Sequence, residues 1–191
     1  GIYTDGGGTL EIVRSGPTTA VDDSPAVIAS IIGDGTPQRS VVTQLALQFN
    51  EDVSASLTVG DLSLVNLDTA VAVSPASMAL AYNAATNTAV WTFPGLPGGT
   101  LADGNYTATL PAASVADAAG NTMAADFTLD FFRFFGDSDG DRDVDPLDLF
   151  RFRGTYLRSA GDPLFDGRFD SDSDGDVDPL DLFRFRQNYL G

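Results

Sequence analysis

The stretch DSDGDRDVDPLDLFRFR at residues 137–153 returns as DSDSDGDVDPLDLFRFR at residues 170–186. Only two of the seventeen positions differ: Gly140 is replaced by Ser173 and Arg142 by Gly175. Each copy alternates carboxylates with other residues, then breaks at Asp-Pro into a Leu/Phe/Arg segment. Asp145 and Asp178 suit helix N-caps, and Pro146 and Pro179 then fall at the first helical position, where proline is favoured. The tail of the chain therefore reads as two loop–helix units spaced 33 residues apart.

Counting from the first Asp of each loop, Asp137, Asp139, Asp141, Asp143, Asp145 and Asp148 occupy positions 1, 3, 5, 7, 9 and 12. The second copy places Asp170, Asp172, Asp174, Asp176, Asp178 and Asp181 likewise. Carboxylates at every second residue of a curling loop converge on one point, and without a cation they repel. The spacing is that of an EF-hand calcium loop. These twelve residues are the candidate metal set, and two calcium ions are the expected cofactors. Position 7 is expected to offer its backbone carbonyl, so the Asp143 and Asp176 side chains need not bind. Position 9 often acts through water, and position 12 closes the site from the helix. Position 6 calls for Gly. Gly175 complies, whereas Arg142 incurs about 1–2 kcal/mol of strain, so the first loop is expected to form but to bind more weakly.

Val144 and Val177, at position 8, are expected to pair the two loops and face a core. In the helices Leu149, Phe152 and Tyr156 share one face, repeated as Leu182, Phe185 and Tyr189; these are the core candidates. The other face carries Leu147, Phe150 and Arg151, repeated as Leu180, Phe183 and Arg184. Those six are the candidate partner-binding residues, since arginine and aromatics are enriched at interfaces. Arg151, Arg153, Arg184 and Arg186 suit neutralisation of the acidic loops equally well.

Composition narrows the chemistry. The chain has 191 residues and a formal charge of −17, with 25 Asp, two Glu (Glu11, Glu51) and ten basic residues, all Arg. Duplex nucleic acid and anionic bilayers would repel it, and no apolar run reaches the roughly 18 residues of a membrane span. There is no Cys, His or Lys, so zinc and haem sites lose their usual ligands and the imidazole base is missing. GDSDG (136–140) matches a nucleophile-elbow pattern, but no triad can be built without His. The Asp residues outside the loops, such as Asp61, Asp68, Asp103, Asp117 and Asp126, read as turn residues rather than a glycosidase pair. No enzyme activity is expected.

Upstream, from Ala26 to about Phe135, the grammar is β. In SVVTQLALQF (40–49) alternate residues, Leu45, Leu47 and Phe49, are expected to face inward, preceded by Val42 or Val41. SMALAYN, TAVWTF, NYTATL and DFTLDFF repeat that period, with turns every 8–12 residues as in a sandwich. Trp91 is expected in its core, and the NYT sequon (105–107) falls within a strand pattern. Phe131, Phe132, Phe134 and Phe135 are too many rings for one sheet face, so some are expected to dock on the helices across a junction of one residue, Gly136. Residues 1–24 read as an extension or linker, with TLEIVRS alternating like a strand. The chain starts at Gly without a signal peptide and is read as a fragment of a longer protein.

Two such loops, each followed by a helix and ended by Asp, resemble a type I dockerin over residues 136–191. The resemblance implies two near-identical halves about a pseudo-two-fold axis and a cohesin domain as partner. Pro146-Leu147 and Pro179-Leu180 stand where cohesin-reading dockerins often carry Ser-Thr-like pairs. Residues 25–135 resemble bacterial Ig-like domains through LALQFNEDV (45–53), GNYTATLP (104–111) and VADAAGNTM (115–123). The expected fold is mainly β with a small α module: an Ig-like antiparallel β-sandwich followed by a dockerin-like pair of calcium loop–helix motifs. The expected setting is a monomeric segment of a secreted or cell-surface protein, since millimolar calcium outside cells suits weak sites. It would dock to a cohesin-like domain, cap the sandwich structurally, or assist an enzyme lying upstream.

Overall fold

The computed structural model describes residues 24–189. The TLEIVRS strand reading, and the linker reading of residues 1–23, lie outside them.

Alternation becomes two four-stranded antiparallel sheets. One has the order β1 (Val27–Ile32), β2 (Gln44–Phe49), β6 (Thr88–Thr92), β5 (Ala79–Asn83). The other has the order β4 (Val71–Ala72), β3 (Ser63–Asn66), β7 (Gly104–Leu110), β8 (Phe127–Arg133). On β2 the inward set is Leu45, Leu47 and Phe49, each at most 2% exposed, and Val42 rather than Val41 is buried ahead of it. Tyr106, Ala108 and Leu110 bury the matching face of β7, and Tyr106 stacks on Phe131 of β8 at 5.4 Å. Trp91 is fully buried, with its indole N–H donating to the Val59 carbonyl. Each such side chain stabilises the core by about 1.5–3 kcal/mol.

Two helices follow the loops: α1 (Pro146–Thr155) and α2 (Pro179–Asn188). Asp145 accepts from the Leu147 and Asp148 amides, and Asp178 from the Leu180 amide, with proline at the first turn. A second, separate core gathers Phe135, Val144, Phe152, Phe169, Val177 and Phe185. The Phe152 and Phe185 rings, equivalent in the two copies, lie 4.7 Å apart, and Phe169 meets Phe152 edge-on at 5.5 Å. Leu149, Tyr156, Leu182 and Tyr189 are only half-buried around that centre. This is a small core for residues 136–189, and a unit of that size needs an additional staple.

The backbone of Val177 does not pair with the first loop. Its N–H donates to the Arg158 carbonyl and its carbonyl accepts from Leu157, while Ala160 N–H reaches the Gly175 carbonyl. The segment after α1 thus supplies the strand-like partner of the second loop, because each loop turns its valine side chain, and not its edge, toward the shared centre. The burial expected of Val144 and Val177 does occur, at 1% and 0% exposure.

β8 and the residues that follow it serve both cores in turn. Phe131 faces the sandwich, Phe135 the helices, and Phe134 packs beside it. Arg133 between them is 7% exposed and pairs with Asp103. Asp103 also accepts from the Phe135 amide at 2.7 Å and from Asn188 Nδ2 of α2 at 3.0 Å. Arg39 N–H donates to the Asp137 carbonyl, and Ser40 Oγ bridges the Gly136 amide and the Arg168 carbonyl.

Candidate metal centre

Each loop curls its carboxylates inward. Oxygens of Asp137, Asp139 and Asp141 lie within 4.8 Å of one another, as do those of Asp143, Asp145 and Asp148. In the second loop the close groups are Asp170, Asp172 and Asp181, and Asp176, Asp178 and Asp181. The second loop therefore draws positions 1, 3 and 12 together, while the first splits into 1–3–5 and 7–9–12. Asp174 stands outside these groups, exposed, and accepts from the Asp176 amide.

Position 1 is held by the loop's own amides. Asp137 Oδ1 accepts from Gly140 N–H and Oδ2 from Arg142 N–H at 3.0 Å; Asp170 Oδ2 accepts from Gly175 N–H at 3.0 Å. Position 12 is buried and anchored twice. Asp148 Oδ1 accepts from the amide and hydroxyl of Ser138 at 2.9 and 2.6 Å, and its other oxygen from the Asp145 amide. Asp181 repeats this with Ser171 and Asp178. The serines at position 2 were not among the residues singled out from sequence, although their presence in both copies was the available signal. Position 9 is committed to capping, as described for Asp145 and Asp178.

Among the described residues three buried carboxylate oxygens have no hydrogen-bond partner: Oδ1 of Asp139, of Asp170 and of Asp176. Burial pushes the Asp170 carboxyl upward, opposed by the Gly175 and Ser173 amides and reinforced by Asp181 and Asp174. Asp137 is raised in the same way, with Asp148 and Asp141 adding to burial. Asp139 is raised by burial and then by Asp141 and Asp148, against the pull of Arg151. A buried carboxylate oxygen left without a donor is costly, and like charges compound that cost. A hard cation that takes six to eight oxygens relieves both. The donor set, all oxygen with no sulfur or imidazole, fits calcium.

The candidate partner face divides. Leu147, Phe150, Leu180 and Phe183 are 44–75% exposed. Arg151 and Arg184 turn inward instead, donating to the hydroxyls of Ser138 at 2.7 Å and Ser171 at 2.9 Å. Arg151 also stands 3.1 Å from Asp139. Arg153 and Arg186 remain exposed beside a groove of about 410 Å³ between the helices.

The bacterial Ig-like domain family matches residues 21–134, more than half of the sequence. This chain belongs to the bacterial Ig-like domain family. The two-sheet sandwich is that Ig-like domain, and the loop–helix module is a further element packed on it. No curated protein matches the sequence significantly. Among solved structures, a chain of a type II cohesin–X–dockerin complex from Acetivibrio cellulolyticus is 11% identical over 72% of this chain and 87% of that one. Its TM-score is 0.27, too low to carry over a fold or a function. Among the described residues no helix is long and apolar enough to cross a membrane.

Proposed function

We propose that this chain is a non-catalytic, calcium-binding segment of a bacterial secreted or surface protein, in which two calcium ions fold a duplicated loop–helix module onto an Ig-like domain. The observation that carries the reading is the set of buried, partnerless carboxylate oxygens of Asp139, Asp170 and Asp176. Those of Asp139 and Asp170 occupy positions 3 and 1, side-chain ligand positions of a calcium loop, and that of Asp176 at position 7 adds unneutralised negative charge beside the second site. The module then offers Leu147, Phe150, Leu180 and Phe183 as a duplicated apolar face for a protein partner. The dockerin resemblance makes that partner a cohesin-like domain. Exposure of all four side chains favours this over a purely structural role for the face.

The second reading, a structural cap, is favoured by the bonds of Asp103, Ser40 and Asn188 across the junction. The two are compatible, because the junction and the apolar face are different surfaces. Titration calorimetry of chelator-stripped protein, with helix content followed in parallel, tests the calcium reading. Two ions bound with a gain of helix is the expected result, and absence of binding would remove it. Mixing the calcium-loaded protein with a cohesin-like domain, with and without Phe150→Asp and Phe183→Asp, tests the partner. Binding that ignores both substitutions would exclude this face.

A further inference from the structure

The two loops differ at positions 4 and 6, and at both positions the backbone is left-handed. The φ values are 82° at Gly140 and 79° at Arg142 in the first loop, and 59° at Ser173 and 97° at Gly175 in the second. Glycine has exchanged places between copies. Each loop keeps one glycine and accepts one strained residue, so the loop backbone alone does not decide which position is which.

The neighbours differ. A Cβ on Gly140 would stand 1.9 Å from the Pro37 carbonyl oxygen, so the first loop tolerates no side chain at position 4. Ser173, at the same position in the second loop, donates from its hydroxyl to the Gly98 carbonyl at 2.9 Å. At position 6, the Arg142 guanidinium lies 4.2 Å from the Phe132 ring centroid and donates to Asn105 Oδ1 at 3.1 Å. A Cβ on Gly175 would meet Ala160 of its own module, at 3.9 Å, and nothing of the Ig-like domain within 4 Å. Pro37, Gly98, Asn105 and Phe132 all belong to the Ig-like domain. Within the seventeen-residue repeat, the copies therefore differ only at positions where the first loop touches that domain.

We propose that the Ig-like domain is a seat for the first loop, fitted to Gly140 at Pro37 and to Arg142 at Phe132 and Asn105, and that seating there is coupled to calcium at that loop. The coupling runs through Arg142. Its N–H closes the loop onto Asp137, while its side chain is held by β7 and β8. Whatever the sandwich contributes to holding Arg142 left-handed it contributes to the calcium site, and by linkage calcium returns the same free energy to docking. The coupling rests on the calcium reading above; the seat does not.

The test is the exchange variant G140S/R142G/S173G/G175R, which keeps composition and both sets of ligands. The native protein is expected to bind two ions and melt in one transition. The exchange variant is expected to bind two ions but melt in two transitions, with small-angle scattering showing a wider spread of domain positions. A variant that binds two ions, melts once and scatters as the native protein does would overturn the docking proposal. Phe132→Ala leaves both loops untouched and covers the case in which the exchange misfolds. It is expected to weaken one of the two calcium sites about two- to five-fold. Unchanged affinity at both sites would overturn the coupling. Failure of the native chain to bind calcium would sink the calcium reading and the coupling together, and titration alone identifies that outcome.

Discussion

Asp103 shows how much a single side chain can hold. It pairs with Arg133, which is almost wholly buried, caps the amide of Phe135 and binds Asn188 of α2. Burial lowers the Arg133 pKa, and Asp103 offsets only part of that. Removing the carboxylate leaves a desolvated guanidinium. Because Asp103 is itself 40% exposed, Asp103→Ala is expected to cost about 2 kcal/mol, between the exposed and buried regimes, read as a lower urea midpoint in calcium. Gly140→Ala should be at least as damaging, about 2 kcal/mol or more from positive φ and the Pro37 contact together. Ser173→Gly should move stability by no more than about 0.5 kcal/mol, since strain relieved offsets one exposed hydrogen bond lost. Equal effects of the last two would mean that the two loops have equivalent surroundings.

At the scale of elements, each helix begins with the same device. Asp145→Ala removes an acceptor for two amides of α1 and is expected to cost about 1 kcal/mol, visible as reduced helix content at fixed denaturant. The loops supply a pH prediction. Burial and neighbouring carboxylates raise Asp137, Asp139 and Asp170 in the folded, metal-free loops. Protonation therefore favours the folded form: the contribution is fully present below the ordinary carboxylate value of 3.8 and is lost as pH rises through the folded values. In chelator, the helix signal of the module should strengthen on acidification, while calcium affinity falls over the same range. A helix signal in chelator that weakens on acidification would contradict this. The helices and β2 were legible because N-cap, proline and period-two patterns are local. Phe169 was not, because Gly136 stands at its place in the first copy. A Cβ there would press on Val144 and Phe185, so the core takes a ring from only one copy. The pairing of Val177 with the segment after α1 was equally hidden, since nothing in the repeat marks residues 157–160 as an edge.

At the scale of the whole molecule, the Ig-like domain and the module are joined by a packed run of chain rather than a tether. Phe131 belongs to one core and Phe135 to the other, and the residues that follow, Gly136, Asp137 and Ser138, are buried as well. The sequence pointed to this through its surplus of phenylalanines, but which rings go to which side depends on how β8 ends, with Arg133 drawn inward to Asp103. Endoproteases act on segments that can be pulled free of a structure, above all exposed loop tips and linkers. The boundary here offers no such segment. Trimming the native protein with a protease should therefore not release the Ig-like domain from its module, because the run from Phe131 to Ser138 is packed into one core or the other without an exposed break.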